Sequence, residues 1–199
     1  STEVFSNRDE RLGATIMKSG DSYIGTNPIF SVSVLAFQLT GFLSRKYFNT
    51  DDWTLQRSNI DGVVIRYAEV LLNYAEAKNE ASGPDATVYS AINAIRKRAG
   101  MPDLEAGLSK DQMRAKIRNE RRIELAFEEH RFFDIRRWKI AESLLNGPLY
   151  GVKMTKSGNT INYTRYAFEN RSFPSKLYVL PIPQNEVDKN PAAKQIAGW

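Results

Sequence analysis

Three rhythms of apolar and polar residues follow one another along this chain, and each change of rhythm marks a new part. From Val63 the apolar positions recur at spacings of three and four: Val64, Tyr67, Leu71 and Tyr74, continued by Lys78, with Ala68 and Ala75 beside them. That period is one side of an α-helix. Ser82-Gly83-Pro84 stops it, and Asp85 is placed to cap a second helix with the stripe Val88, Ile92, Ile95 and Ala99. Gly100 and Pro102 close the second helix. The pattern predicts an antiparallel helical hairpin.

Next comes Ser109 to Trp138. Ser109 and Gln112 have capping-box spacing, and Leu108 and Met113 flank the cap as a hydrophobic staple does. Met113, Ile117, Glu120, Glu124 and Phe127 then fall on one side of the helix, so two carboxylates share a stripe with core residues. A charge on a buried face is costly unless it is paired and hydrogen-bonded. Arg118, Arg121, Arg122, Arg131, Arg136 and Arg137 are near in sequence. The segment reads as a buried network of arginines and carboxylates joining two helices, with Glu120, Arg121, Glu124, Arg131, Asp134 and Arg136 as its members. The helix is expected to continue past Trp138 to about Leu145. The hairpin at 66–99 is similar in size to one tetratricopeptide unit of about 34 residues, which needs neighbours to bury its face.

The flanking parts alternate differently. Residues 146–199 begin with the breaker Asn146-Gly147-Pro148, and 149–168 read as a β-hairpin turning at Ser157-Gly158-Asn159. LYVLPIP (177–183) reads as a short strand, PQNEVDKNP (183–191) as one helical turn, and Trp199 as a side chain tucked against the body. Residues 1–62 form a loop-rich aromatic region, in which 29–39 carry strand formers and 8–16 end in a strand-like tail. One domain over 1–199 is expected, divided into 1–62, the helical core 63–145, and the hairpin and tail 146–199. The fold class is mainly α with short β elements and irregular loops.

Composition narrows the chemistry. Apolar residues make up 42% and charged residues 26%, the balance of a globular chain. The net charge is +5, but bases and acids interleave through the helices, which does not give the basic stripe of a nucleic-acid binder. With no cysteine, disulfides and zinc–thiolate sites are excluded. His130, the one histidine, cannot build a histidine metal cluster, and no metal or other cofactor is implied. No apolar run reaches the length of a membrane-spanning helix. The chain starts at Ser1 without methionine or signal peptide, so a trimmed or excised piece is expected.

Two chemistries remain. Glu120 and Glu124 could be the acid and nucleophile of a glycoside hydrolase, but surrounding arginines would keep both ionised and leave no proton donor. No catalytic residue is therefore assigned. The aromatic residues of 1–62 favour binding, because a flat apolar ring with a polar edge matches one face of a pyranose. Tyr23, Tyr47, Phe48 and Trp53 are the candidates, with the 149–168 hairpin second.

Four segments in series resemble the SusD/RagB-like nutrient-binding family of the Bacteroidetes outer membrane: RYAEVLLNYAEAKNE (66–80), INAIRKRAGMP (92–102), ERRIELAFEEHRFFDIRRW (120–138) and VLPIPQNEVDKNP (179–191). RDERL (8–12) and GFLSRKY (41–47) match less closely. The ending Ala193 to Trp199 departs from the family's usual Leu-x-Gln-Asn-Pro-Gly-aromatic tail, and members are typically more than twice as long. The resemblance is thus to the C-terminal part, and an exposed apolar face on the hairpin is expected unless something covers it. It implies a non-catalytic surface lipoprotein whose lipid anchor lies outside this sequence. Such a protein captures oligosaccharides or other nutrients for a SusC-like TonB-dependent transporter. A helical scaffold that contacts the transporter without a ligand site of its own is the alternative. The resemblance also implies that Arg66, Tyr67, Glu76, Glu120, Arg121, Glu124, Arg131, Asp134, Arg136 and Trp138 define the fold and are not the ligand site.

Overall fold

Helix α1 (Arg11–Thr15) is followed by the long pair α2 (Tyr67–Ser82) and α3 (Ala86–Arg98), then by α4 (Lys110–Glu124), α5 (His130–Arg137) and α6 (Ala141–Leu145). Strands β1 (Gly147–Ser157) and β2 (Thr160–Arg171), a 3-10 turn at Ser175–Tyr178, and α7 (Gln184–Lys189) complete the order. The structure, a computed structural model, describes residues 5–17, 21, 40–47, 49, 57–58 and 60–199. The strand expected at 29–39 lies outside the described residues.

The caps follow the local chemistry. Asp85 accepts hydrogen bonds from the backbone N–H groups of Thr87 and Val88 and starts α3. Ser109 and Gln112 close a reciprocal capping box at α4. Leu108 and Met113 both join the core that α4 forms with α2 and α3. That core holds Leu72, Val88, Ile92, Ile95, Met113 and Ile117, and α2 packs against both α3 and α4. A smaller core gathers Ile135, Ala141 and Phe173.

The face of α2 differs from the expected stripe. Its buried residues are Ala68, Leu72, Ala75 and Asn79, whereas Val64 is 90% and Tyr67 74% exposed. Arg66 is extended, so the helix begins at Tyr67 and Val64 precedes it. The two sets have the same spacing and lie one residue apart, so periodicity does not separate them. Packing does, because the methyl groups of Ala68 and Ala75 let two helices approach and tyrosines at those places would hold them off. Val64, Ile65, Tyr67, Val70 and Tyr74 consequently form an exposed apolar face.

Four further expectations change. α4 stops at Glu124, and Phe127 (φ 61°) and Glu129 (φ 65°) take left-handed conformations, so Phe127 leaves the stripe and is half exposed. Lys139 (φ 55°) likewise breaks the helix expected to run from Trp138 to Leu145. LYVLPIP gives the 3-10 turn and irregular backbone in place of a strand. Pro181 and Pro183 lack the N–H groups that a ladder needs. The tail at 8–16 is α1 with one bridge from Ile16 to Ser44.

The β-hairpin turns within the expected Ser157-Gly158-Asn159 stretch, but Ser157 pairs with Thr160 as the end of β1, which leaves a two-residue turn at Gly158-Asn159, and a bulge lies at Leu149/Tyr150. It is tied to residues 40–47 where the Val152 N–H donates to the Thr40 carbonyl at 2.9 Å. Gly41 (φ +77°) passes beside this bond so closely that a Cβ there would lie 1.9 Å from the Val152 carbonyl oxygen. Trp199 donates its indole N–H to the Val179 carbonyl at 3.0 Å and remains 40% exposed.

Candidate functional site

Three carboxylates at four-residue intervals set the geometry of this region. Glu120 and Glu124 project from α4, and Glu128 follows in the link to α5. Their side chains are only 2–3% exposed. Burial on this scale requires partners, and the partners come from distant parts of the chain. Arg11 Nη1 lies 2.6 Å from Glu120 and 2.8 Å from Glu124, while its Nη2 holds Asp9 at 2.6 Å. Arg66 bridges Glu124 at 2.6 Å and Glu128 at 2.7 Å. Arg96 reaches Glu120 at 3.1 Å and Arg98 reaches Glu124 at 2.5 Å. Lys46 pairs with Glu128 and donates to the Ala126 carbonyl at 3.0 Å.

The electrostatics follow from these contacts. Burial pushes the Glu124 and Glu128 carboxyls up, but the hydrogen bonds from Arg66, with Arg11 on one and Lys46 on the other, outweigh it. Both are held below the usual carboxylate range. Burial disfavours the Arg11 charge, and Asp9, Glu124 and Glu120 more than restore it. The contacts favour the ionised form of Glu124 and Glu128, whereas the acid of a glycoside hydrolase needs a carboxyl with a raised pKa.

The neighbouring arginines have other duties. Arg121 Nε contacts Asp134 at 3.1 Å, and its Nη1 donates to Asn73 at 2.6 Å. Arg137 pairs with Asp134 and Glu76, and Glu76 also accepts the Trp138 indole N–H at 2.7 Å. This is a second network, not the one around Glu120 and Glu124. Arg136 lies over the Phe132 ring at 3.5 Å and donates to the Phe132 carbonyl at 3.0 Å. Arg131 has no carboxylate within 4.0 Å among the described residues. The expectation that local arginines neutralise Glu120 and Glu124 is therefore corrected. Residues adjacent on a helix point to different faces, so the cations must arrive from other elements. Arg11, Lys46, Arg96, Arg98 and Glu128 were missed. Glu128 had a signal, since it extends the Glu120–Glu124 series by one more interval of four.

The same charges hold a cleft. A cavity of about 430 Å³ is lined by Tyr47, Ser58, Asp61, Val63, Phe127 and Glu129, with Glu128 in its wall. Tyr47, Phe127 and Glu129 all have left-handed backbone conformations without being glycine. Such strain persists only where the surroundings impose it. Here Lys46 and Arg66 pin Glu128, and Arg66 also donates to the Glu124 carbonyl at 2.7 Å. Rings and carboxylates facing one space supply stacking faces and hydrogen-bond acceptors together.

Tyr47 is thus in the cleft and 41% exposed. Tyr23, Phe48 and Trp53 lie outside the described residues. In the second candidate region Arg165 covers the exposed Tyr150 ring at 3.5 Å, and Tyr166 and Phe168 meet at 6.3 Å. Asp61, Phe127 and Glu129 were not among the candidates.

Comparison with known proteins adds a lineage. The model of the SusD family matches residues 1–199. SusD-like protein P2 of Formosa agariphila is 34% identical over 142 residues, covering 68% of this chain and 25% of that protein. SusD-like protein P25 of the same organism is 32% identical, covering 79% of this chain and 28% of its own length. The chain therefore spans about a quarter of the length of these relatives. A crystal structure of a SusD-like protein from Bacteroides fragilis superposes with a TM-score of 0.83 at 30% identity, covering 99% of this chain and 40% of that one.

Proposed function

Since the chain belongs to the SusD family, we propose that it is a non-catalytic, nutrient-binding part of an outer-membrane uptake complex that captures oligosaccharides at the cell surface. In this reading it is carried on a surface lipoprotein and delivers its ligand to a SusC-like TonB-dependent transporter. The observation that carries the proposal is the Tyr47–Phe127 cleft, where two rings and the carboxylates of Asp61 and Glu129 face one cavity. A pyranose offers the matching surface, an apolar face for the rings and an edge of hydroxyl donors for the carboxylates. Tyr23, Phe48 and Trp53 are proposed as further ligand contacts.

Calorimetric titration with neutral and acidic oligosaccharides tests the proposal. Tyr47→Ala should weaken binding about 5- to 10-fold, the loss of one stacking ring, with an unchanged circular dichroism spectrum. A panel in which no saccharide binds the unmodified protein would overturn it. A second reading, a helical scaffold without a ligand site, is favoured by the exposed Val64, Ile65, Tyr67, Val70 and Tyr74 face. Transporter capture that survives Tyr47→Ala and fails with Tyr67→Lys would select that reading.

A further inference from the structure

Beyond the α4–α5 link lies a second cavity, of about 760 Å³, within the range of small-ligand sites. Leu125, Ala126, Phe127, Phe132 and Phe133 supply its apolar wall. The three rings are 44–63% exposed, and Phe132 and Phe133 meet edge to face at 5.2 Å. Arg122 and Arg131 line the same space.

These two cations differ from those on the opposite side of the link. The arginines around Glu120 and Glu124 are all paired, whereas neither Arg122 nor Arg131 has a carboxylate within 4.0 Å among the described residues. Asp134 attracts Arg131 from farther away but is already engaged by Arg121 and Arg137. Burial, with Arg122 next, lowers the pKa of the Arg131 guanidinium, as expected of a cation without a counter-ion. Glu129 also lines the cavity, so two guanidinium groups face one carboxylate. The space is apolar on its walls and positive in sum, which asks for an occupant with a flat apolar face and an anionic group.

We propose that this cavity is a subsite for an acidic sugar, a pyranose bearing a carboxylate or sulfate. Its ring lies on the phenylalanines and its anion is held by Arg122 and Arg131. The guanidinium fork matches both anions with paired hydrogen bonds. This inference rests on the saccharide-capture reading and deepens it by naming the ligand's charge.

The probes are tetragalacturonate, a sulfated galactan tetrasaccharide and neutral cellotetraose, titrated into the 199-residue protein at low and physiological ionic strength. One or both acidic probes should bind at least about tenfold more tightly than the neutral one, and the margin should shrink with salt. The probe that gains identifies the anion. Arg122→Ala and Arg131→Ala should each remove most of that margin and leave neutral binding and the melting temperature unchanged. Glu129→Gln should widen it. Phe133→Ala should weaken acidic binding without altering its salt dependence.

Equal affinity for acidic and neutral probes overturns this subsite and leaves the capture reading standing; absence of binding by every saccharide overturns both. Acidic binding that survives both arginine substitutions also overturns the subsite. So does binding of an acidic, phenylalanine-containing peptide without any acidic saccharide, which would assign the cavity to a polypeptide.

Discussion

Replacing Glu124 by glutamine keeps the size of the side chain and removes its charge. Glu124 accepts from Arg11, Arg66 and Arg98 at 2.8, 2.6 and 2.5 Å, at a side chain 2% exposed. Glutamine offers one acceptor and turns an NH₂ group toward guanidinium donors. Removing one member of a buried ion pair costs roughly 3–5 kcal/mol, because the partner's charge is left uncompensated. The lower end applies here. Arg11 keeps Asp9 and Glu120, Arg66 keeps Glu128, and Arg98, 60% exposed, can turn to water. A loss of about 3 kcal/mol corresponds to a fall in melting temperature of roughly 6–12 °C in a chain of this size. Urea and thermal denaturation followed by circular dichroism measure it. Glu80→Gln is the control: Glu80 pairs with Arg114 at the surface and its loss should be barely measurable. If Glu124→Gln costs under about 1 kcal/mol, the ion-pair account of this buried cluster fails.

Two other outcomes follow from the same structure. Glu124 and Glu128 are held below the ordinary carboxylate range in the folded chain, so protonation favours unfolding. Their contribution should be complete above about pH 4.3, the unfolded value, and should be lost as pH falls through the depressed folded values. Glu124→Gln should flatten the acid limb of a stability-against-pH curve, and an unchanged limb would contradict the assignment. Gly41→Ala should destabilise by roughly 2–3 kcal/mol in urea titrations, since the new Cβ meets the Val152 carbonyl in a left-handed backbone; a neutral result would mean that residues 40–42 do not cross β1 this closely.

What was legible in the sequence was local. Asp85, the Ser109–Gln112 box and the turn expected at Ser157-Gly158-Asn159 act within a few residues, and the two caps and the hairpin form where expected, with Ser157 drawn into β1. The face of α2 was not legible, because Tyr67-Leu71-Tyr74-Lys78 and Ala68-Leu72-Ala75-Asn79 share one spacing and only the neighbours choose between them. The burial of Glu120 and Glu124 could be read from their stripe, but their partners could not: Arg11 and Arg66 lie 113 and 58 positions from Glu124. Tyr47 was reachable as an exposed ring in a loop. Phe127 and Glu129 were not, since the helical rhythm runs through them and conceals the left-handed break that turns them into a cleft wall.

The charge cluster has a consequence for the order of folding. The α2–α3 hairpin closes over short stretches of chain and can form early, whereas the contacts of Arg11 with Glu120 and Glu124 close loops of 109 and 113 residues. Such long-range pairs are expected to form after the transition state, where they would leave the refolding rate almost unchanged and slow escape from the native basin. On that expectation the clasp would govern how long an individual molecule stays folded more than how quickly it first arrives there.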